Sequence, residues 1–326
     1  MDLNFSDLML PVKRHSVFAM DDWCVWCGAM ARTADGVCHL IFSRWPKSTG
    51  HNGWVTHSEF GHATADNPLG PYTFQGVALQ GAGGDAWDRD VVHNATLLEA
   101  DGRYYLYYMG NYGNGEFWNH RNNQRTGVAV ADHPAGPWQR FDQPCIDVTP
   151  GSHDALMTSN PSVTRMPDGR FLMVHKAVGL EAPLPQGGPV VCGVAIAEHP
   201  LGPWIKQPKP VMTNPEAVWS VEDPFIWAAD GGYYALLKDF QGYFSGMGKG
   251  SNALFWSADG LDWQPAKHPA AYPNQIVWED GEVQPLQRLE RQQIWFENGR
   301  PRVLFCAAMI EGRPEDSFNV HIPLRG

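Results

Sequence analysis

The amino-acid sequence predicts an all-β protein, built as a five-bladed β-propeller with four antiparallel strands in each blade. Three observations carry this prediction: the composition, the scarcity of helical patterns and a repeat with a period of about 66. The 326 residues include 34 Gly, 26 Pro and 12% aromatic residues, which is typical of many short strands separated by tight turns. A helical turn is expected only near Phe5 and Met9, so a barrel of eight alternating strands and helices is excluded.

Hairpin turns are the first marker of the repeat. A D-G or N-G step precedes an apolar or aromatic strand at 35–36, 101–102, 168–169, 230–231 and 298–299. These steps follow one another at nearly equal intervals along the whole chain. Such a step between strand-forming residues is the strongest short-range signal for a β-hairpin. Five hairpins at one period predict five blades.

A second marker has the same period. The pattern x-A-x-A-x-x-P-x-G-P-W/Y occurs as HATADNPLGPY (62–72), VAVADHPAGPW (128–138) and VAIAEHPLGPW (194–204), and it degrades to LFWSADGLDW (254–263) in the fourth unit. Its Gly-Pro steps begin at 70, 136 and 202, so they are evenly spaced. Together the markers predict one domain with blades at roughly 21–80, 90–145, 157–212, 220–268 and 283–326, after an N-terminal extension over 1–20.

Charge and hydropathy limit the classes of partner. The net charge is −11 without a basic stripe, so nucleic acid is not an expected partner. No apolar run is long enough to span a membrane as a helix. No signal peptide is visible, which predicts a cytoplasmic protein, or a periplasmic or secreted one if the chain has been trimmed. The six Cys include one C-x-x-C pair at 24–27 and no second pair, which favours buried reduced thiols over a zinc site.

The first strand of each propeller blade lines the central channel, and ligands bind at one mouth of it. Eight residues before each hairpin turn the sequence has Cys27, His93, Asn160, Glu222 and Glu290. The following residues in units two to five are Asn94, Pro161, Asp223 and Arg291. Polar residues recurring at the start of a buried strand predict a functional pocket. For any one of them alone, the alternative is capping of backbone groups at a turn.

Several carboxylates around one pocket favour glycoside hydrolysis. This reaction needs an acid and a base or nucleophile on the two sides of the scissile bond, and crowding separates the pKa values of neighbouring carboxyl groups. Indole rings near strand starts or in loops are candidates for stacking on a sugar, with packing between blades as the alternative. They are Trp23, Trp26, Trp45, Trp54, Trp118 and Trp219.

These features resemble a known group of enzymes. The D-P step at a first strand, the D-G-x-Y-Y hairpins and the S-x-D-G-x-x-W turn resemble the arabinanases and β-xylosidases of glycoside hydrolase family 43 and the related five-bladed family 117. The stretches 25–45, 57–72 and 289–305 resemble the family 117 side more closely. The resemblance implies a first-blade Asp as general base, a Glu on a later blade as general acid and a second Asp that tunes the pKa of the acid. It implies no required cofactor and leaves open a structural Ca²⁺ in the channel.

Carried onto this sequence, the resemblance makes Asp22 the general base, with Asp21 beside it. It makes Glu222 the general acid together with Asp223, and it places Glu290 at the fifth-blade acidic position. A His acid is known on the family 117 side, which keeps His93 as an alternative proton donor. The predicted substrate-binding residues are Asp21, Trp26, Arg44, Glu59, His62, Asn94, Asp154, Asn160 and Arg291.

The predicted function is an inverting, exo-acting glycoside hydrolase that releases a terminal sugar from an oligo- or polysaccharide. Long loops at 111–126 and 178–189 are expected to close one channel mouth. Two alternatives remain at this stage, a non-catalytic carbohydrate-binding propeller and a glycoside phosphorylase whose phosphate site would use Arg291, Arg44 or Lys238. A protein-interaction propeller of the WD type is disfavoured by the repeat length. A homodimer is left open.

Overall fold

The computed structural model describes residues 2–326 and confirms the five-bladed propeller. A short strand, β1 (Val17–Phe18), precedes the first blade. Blade one contains β2 (Trp23–Arg32), β3 (Cys38–Pro46), β4 (Glu59–Ala65) and β5 (Thr73–Leu79). Blade two contains β6 (Val91–Ala100), β7 (Arg103–Asn111) and β8 (Arg125–Ala131). Its fourth strand is reduced to an isolated bridge between Val130 and Gln139.

The remaining blades follow the same pattern. Blade three contains β9 (Met157–Arg165), β10 (Phe171–Val178), β11 (Val190–Ala197) and β12 (Ile205–Lys206). Blade four contains β13 (Val221–Ala229), β14 (Gly232–Asp239), β15 (Ser251–Ser257) and β16 (Gln264–Tyr272). A small hairpin of β17 (Gln275–Val277) and β18 (Val283–Pro285) leads to blade five, which contains β19 (Arg288–Glu297), β20 (Arg300–Ile310) and β21 (Arg313–Pro323).

Over residues 2–326, helical structure is confined to single turns and two short helices, α1 (Trp54–His57) and α2 (Phe117–Asn122). The 3₁₀ turns cover Phe5–Leu8, Arg14–Ser16, Lys47–Thr49 and His51–Gly53. Within residues 2–326, no helix has the length and apolar character that crossing a bilayer requires.

The N-terminal residues complete the last blade. Strand β1 pairs with β21, with Val17 opposite Val320 and Phe18 opposite Asn319, so blade five combines both ends of the chain. Further upstream, Phe5 is fully buried and packs against Trp227 and Tyr272 of blade four. Residues that lie outside the sequence repeat are thereby part of the same core.

Adjacent blades are held together by apolar side chains from their sheets. Between blades two and three, for example, Tyr105 and Tyr107 pack with Phe171 and Met173. All six cysteines are free thiols, and five of them are buried while Cys145 is partly exposed. The innermost strands β2, β6, β9, β13 and β19 contact one another around the channel. This arrangement brings their first residues together at one mouth.

Each innermost strand is interrupted by a β-bulge with one residue at positive φ. These residues are Cys27, Asn94, Asn160, Asp223 and Arg291, with φ between 48° and 61°. Asn and Asp tolerate this left-handed conformation better than most residues, whereas Cys and Arg do not share that advantage. The five bulges are the structurally equivalent positions of the five blades.

Counting eight residues back from each hairpin turn therefore missed the bulge residue by one position in three blades, where it selected His93, Glu222 and Glu290. The hairpins of blades two, four and five have two-residue turns, for example between Ala100 and Arg103. In blades one and three the connection is longer, as between Arg32 and Cys38. The longer turns place the bulge residue eight positions before the D-G step in blades one and three. In blades two, four and five it lies seven positions before the D-G or N-G step.

Candidate active site

Side chains from all five blades form a closed hydrogen-bonded ring across the channel, here called the channel ring. The Cys27 thiol donates to Asn94 Oδ1 (2.8 Å), and Asn94 Nδ2 donates to Asn160 Oδ1 (2.5 Å). Asn160 Nδ2 and Arg291 Nη1 both donate to Asp223 Oδ1, at 2.6 and 3.0 Å. Arg291 Nε closes the ring by donating to the Cys27 sulfur at 3.2 Å. The five residues are at most 7% exposed, so the ring blocks the channel.

A cavity of about 480 Å³, its open mouth included, lies on one side of the channel ring. Most of its lining comes from the bulge residues, from the residues just before them and from the loops of blade one. The lining residues are Trp26, Trp45, His51, Trp54, His93, Asn94, Gln124, Asn160, Lys176, Glu222, Asp223, Arg288, Glu290 and Arg291. Indole rings on one wall and ionised groups on the other suit a ligand with apolar and polar faces, as sugars have.

Charged side chains alternate along the wall that blades three, four and five contribute. Lys176 contacts Glu222, which also contacts Lys238 Nζ at 3.1 Å. Lys238 Nζ in turn lies 2.7 Å from Glu290 Oε2, and Arg288 Nη1 lies 3.4 Å from Glu290 Oε1. We call this series Lys176–Glu222–Lys238–Glu290–Arg288 the charge chain. It begins and ends with a cation.

The charge chain keeps both of its carboxylates ionised. Burial by itself would raise the pKa of Glu222, but the ammonium groups of Lys176 and Lys238 outweigh it and hold this pKa far below its usual value. Burial is likewise outweighed at Glu290, where Lys238 and Arg288 lower the pKa. An ionised Glu222 has no proton to give. The predicted role of Glu222 as general acid is therefore at odds with its surroundings.

Asp223 differs from these two carboxylates. Burial raises the pKa of Asp223 to about 6, although the Arg291 guanidinium opposes this change. Asp223 lines the cavity from its floor, next in sequence to Glu222. Two neighbouring carboxyl groups thus have pKa values displaced in opposite directions, which is the pattern that separates an acid from a base.

His93 stands in the aromatic wall. Its Nδ1 lies 2.7 Å from Ser58 Oγ, and its ring stacks on Trp54 with 5.1 Å between the centroids. Burial, with the nearby charges of Arg291 and His51, holds the pKa of His93 well below 6.5. The imidazole is neutral at pH 7, so it can donate or accept a hydrogen bond with a ligand. It lacks the additional proton that the predicted His acid would donate.

The two long loops meet beside the cavity. Helix α2 lies within the 111–126 loop, where Phe117 contacts the cavity residue Trp54 at a centroid distance of 6.1 Å. Arg121 Nη1 donates to the Gln186 carbonyl at 2.6 Å, and Asn122 Nδ2 donates to the Pro185 carbonyl at 2.9 Å. These contacts join the 111–126 and 178–189 loops into one wall.

Eight of the predicted site residues are brought together in the cavity. They are Trp26, His93, Asn94, Asn160, Glu222, Asp223, Glu290 and Arg291. Of the six suggested stacking residues, Trp26, Trp45 and Trp54 line it. Trp23 instead lies under Arg44, while Trp118 and Trp219 flank Arg121.

The placement of Asp21 and Asp22 was wrong. Both are exposed on the turn before β2, and neither lines the cavity. Strand β2 reaches the channel only at its bulge, several positions further on. The first-blade position equivalent to Asp223 is Cys27, whose pKa is raised to about 12, mainly by burial. Blade one therefore contributes a neutral thiol where the resemblance implies a general base.

Four more predicted binding residues lie away from the cavity because they belong to outer strands or loops. Arg44 and Glu59 face each other across β3 and β4 and form a 2.7 Å ion pair. His62 Nε2 lies 2.9 Å from His39 Nδ1 within the same blade. Asp154 is buried and forms a 2.6 Å ion pair with Lys206 of the outer strand β12. These groups stabilise blades.

Sequence reasoning missed the cavity residues Lys176, His51, Gln124 and Arg288. The sequence repeat did contain a signal for Lys176. Lys176 follows the D-G step at 168–169 at the same distance as Lys238 follows the step at 230–231, so both lysines occupy the same position in their blades. His51 and Gln124 lie in segments between strands, where the repeat gives no alignment.

The channel does not suit the Ca²⁺ ion that the resemblance left open. Ca²⁺ binds six to eight oxygen ligands, several of them carboxylates. The channel ring supplies one carboxylate, which is already paired with Arg291 at 3.0 Å. Among residues 2–326, no group of three His, Cys, Asp or Glu side chains is arranged for a metal ion.

Comparison with known proteins shows the fold. No protein-family model and no curated protein matches the chain. Solved structures do match over nearly its whole length. An endo-arabinase from Bacteroides thetaiotaomicron has a TM-score of 0.63 at 16% identity, with 98% of each chain covered.

Two further matches are named as members of glycoside hydrolase families. Zg3597, a family 117 glycoside hydrolase of the marine bacterium Zobellia galactanivorans, has a TM-score of 0.64 at 16% identity, with 97% of this chain and 88% of that one covered. CoXyl43, a GH43 β-xylosidase/α-arabinofuranosidase from a compost microbial metagenome, has a TM-score of 0.63 at 15% identity, with 97% and 96% covered. The chain has the propeller fold of these two families. The likeness that the sequence suggested is thereby confirmed at the level of the fold.

Proposed function

We propose that this protein is a glycoside hydrolase that removes the terminal sugar of an oligo- or polysaccharide. The observation that carries the proposal is the cavity, which joins three carboxyl groups to an aromatic wall of Trp26, Trp45 and Trp54. The fold shared with glycoside hydrolases supports the same conclusion. Because the channel ring closes the floor, a sugar chain cannot thread through the channel, and a cavity with a single mouth favours binding of a chain end and therefore exo action.

Within this proposal, Glu222 takes the general-base role that the family resemblance assigned to Asp22, and Asp223 takes the general-acid role that it assigned to Glu222. The ionised Glu222 accepts a proton from the attacking water, and Asp223, with its raised pKa of about 6, protonates the leaving oxygen. Glu290 stays ionised and adds negative charge beside the developing oxocarbenium ion. Direct attack by the activated water inverts the anomeric centre.

Glu222 and Glu290 are a less suitable acid–base pair. Glu222 Oε1 and Glu290 Oε2 lie 3.1 and 2.7 Å from the same Lys238 nitrogen, so one cation bridges the two carboxylates. The shared cation occupies the space between these oxygens and keeps both groups ionised. Neither of them is therefore set up to donate a proton.

The test is a phosphate-free screen of aryl glycosides and oligosaccharides with the wild type, Glu222→Gln and Asp223→Asn. Each substitution is expected to lower the rate by about 10²–10⁴-fold, the usual contribution of a general acid or base. Asp22→Asn is the matched control, because this exposed carboxylate lies outside the cavity. Proton NMR of the first product should show the inverted anomer. Full activity of both variants, or release of internal fragments, would contradict the proposal.

A further inference from the structure

Charges around the cavity do not balance. The charge chain and the Asp223–Arg291 pair contain four cations, Lys176, Lys238, Arg288 and Arg291, but only three carboxylates. One positive charge is left over even when every carboxylate is ionised, although the protein as a whole has a net charge of −11. All of these cations except Arg288 are buried. An uncompensated charge of this kind is costly to bury.

The surplus charge lies at the ends of the charge chain. Lys176 and Arg288 line the cavity, and each has a single carboxylate partner. On the floor, Arg291 is 2% exposed, and its Nη2 has no hydrogen-bond partner among residues 2–326. A buried guanidinium nitrogen without an acceptor is a donor reserved for a ligand or for water.

A third guanidinium adds to this positive region. Arg121 is 4% exposed and lies close enough to Glu222 to feel its charge, and its Nη2 also lacks a partner within the described residues. The aromatic rings of Trp118 and Trp219 hold it on two sides, at 5.7 and 5.6 Å. Cationic groups from blades two, three and four, namely Arg121, Lys176 and Lys238, thus surround Glu222.

We propose that the cavity binds an oxyanion of the ligand, namely the carboxylate of a terminal uronic acid, through Lys176, Arg288 and the free Nη2 of Arg291. This inference rests on the proposed function, because it takes the ligand to be a sugar chain end. Because Arg121 adds a further cation, the surplus is at least one positive charge, which an anionic carboxylate would offset. Inorganic phosphate shares the oxyanion chemistry and is the other source that the test must separate.

The first experiment uses the unmodified protein and matched ligands. Isothermal titration compares the methyl glycosides of glucuronate and galacturonate with those of glucose and galactose, which differ at C6 alone. The uronates are expected to bind at least about tenfold more tightly, and this advantage should shrink at high salt because charge-assisted contacts are screened. Inorganic phosphate is titrated separately. Equal affinity for charged and neutral sugars would overturn the inference.

Variants then locate the anion. Lys176→Gln and Arg288→Gln should each weaken uronate binding about tenfold, as loss of a charge-assisted hydrogen bond implies, which is a larger loss than either variant shows for the neutral sugars. Lys267→Gln is the control, because Lys267 is an exposed lysine whose ion partner is the exposed Asp2. If phosphate binds with this dependence on Lys176 and Arg288 while the uronates do not, the uronate assignment is overturned in favour of a phosphate site.

The outcomes also separate this inference from the proposed function. Hydrolysis of neutral glycosides without any preference for uronides would contradict the proposed anion site and leave the proposed hydrolase function supported. Tight uronate binding without turnover of any glycoside would support the anion site and contradict the proposed hydrolase function.

Discussion

The two mouths of the central channel are built by the same five strands and have opposite chemistry. On one side of the channel ring the strands present Glu222, Glu290 and His93 to the cavity. Beyond the ring the opposite mouth is lined mainly by apolar residues such as Leu97, Ile226 and Ile294, and its lining among residues 2–326 includes no charged side chain. The ring therefore separates a charged half, which is the proposed ligand site, from an apolar half. The difference can be tested by changing each half in turn.

The largest effect is expected from Lys238→Met in the polar half. This change leaves Glu222 and Glu290 facing each other without their shared cation, and loss of one partner from a buried ion pair costs about 3–5 kcal/mol. Denaturant unfolding measures the loss. Lys267→Met, at an exposed ion pair, should leave the unfolding free energy unchanged. Equal stability of the two variants would mean that the charge chain is solvated.

A substitution in the apolar half should separate stability from activity. Ile294→Ala truncates a 7% exposed side chain at the opposite mouth, so the free energy of unfolding should fall by about 2–5 kcal/mol. The rate per folded molecule should stay at the wild-type value. A matching loss of rate would show that the two halves are coupled through the ring.

Asn160→Ala breaks the channel ring itself. Asn94 Nδ2 then loses its acceptor and Asp223 Oδ1 loses a donor. Each unpaired buried group costs about 1–3 kcal/mol, which thermal or denaturant unfolding would reveal. Asn52→Ala, at an exposed position of a 3₁₀ turn, is the control for replacing an Asn. Unaltered stability of the Asn160 variant would show that water replaces the missing amide.

The smallest expected effect concerns pH. Because Asp223 must be protonated to act as the acid, the rate should fall as the pH rises through about 6, the raised pKa of this buried carboxyl. Asn160→Ala removes a hydrogen bond that favours the ionised form, so the midpoint should move to higher pH. A pH–rate series on both proteins measures the shift. A rate that rises between pH 5 and 7 would exclude Asp223 as the acid.

Local hairpin chemistry explains why the fold was predictable. The D-G steps and the Gly-Pro pattern each specify a turn from a few neighbouring residues. Their common period predicted five repeated sheets. The bulges were not predictable to the residue, because turn length varies between blades and moves Asn94, Asp223 and Arg291 by one position relative to Cys27 and Asn160.

The carboxyl groups of the site were predicted where they follow the repeat. Glu222, Asp223 and Glu290 were found in this way, whereas Asp22 was selected by likeness to other propellers and lies on an exposed turn. The contacts between the 111–126 and 178–189 loops depend on two segments far apart in sequence. The surplus of positive charge likewise emerges only when cations from separate blades are placed beside the same cavity.

The pairing of β1 with β21 has a consequence for how the molecule is made. Val17 and Val320 lie far apart in sequence, so the contact that closes the circle must wait until the strand that contains Val320 has left the ribosome. Closing so long a loop costs conformational entropy and slows folding. Until then the outer edge of β21 offers unpaired backbone groups to any neighbouring strand. Removing residues 1–20 would make that exposure permanent, and self-association of the truncated protein would be its visible result.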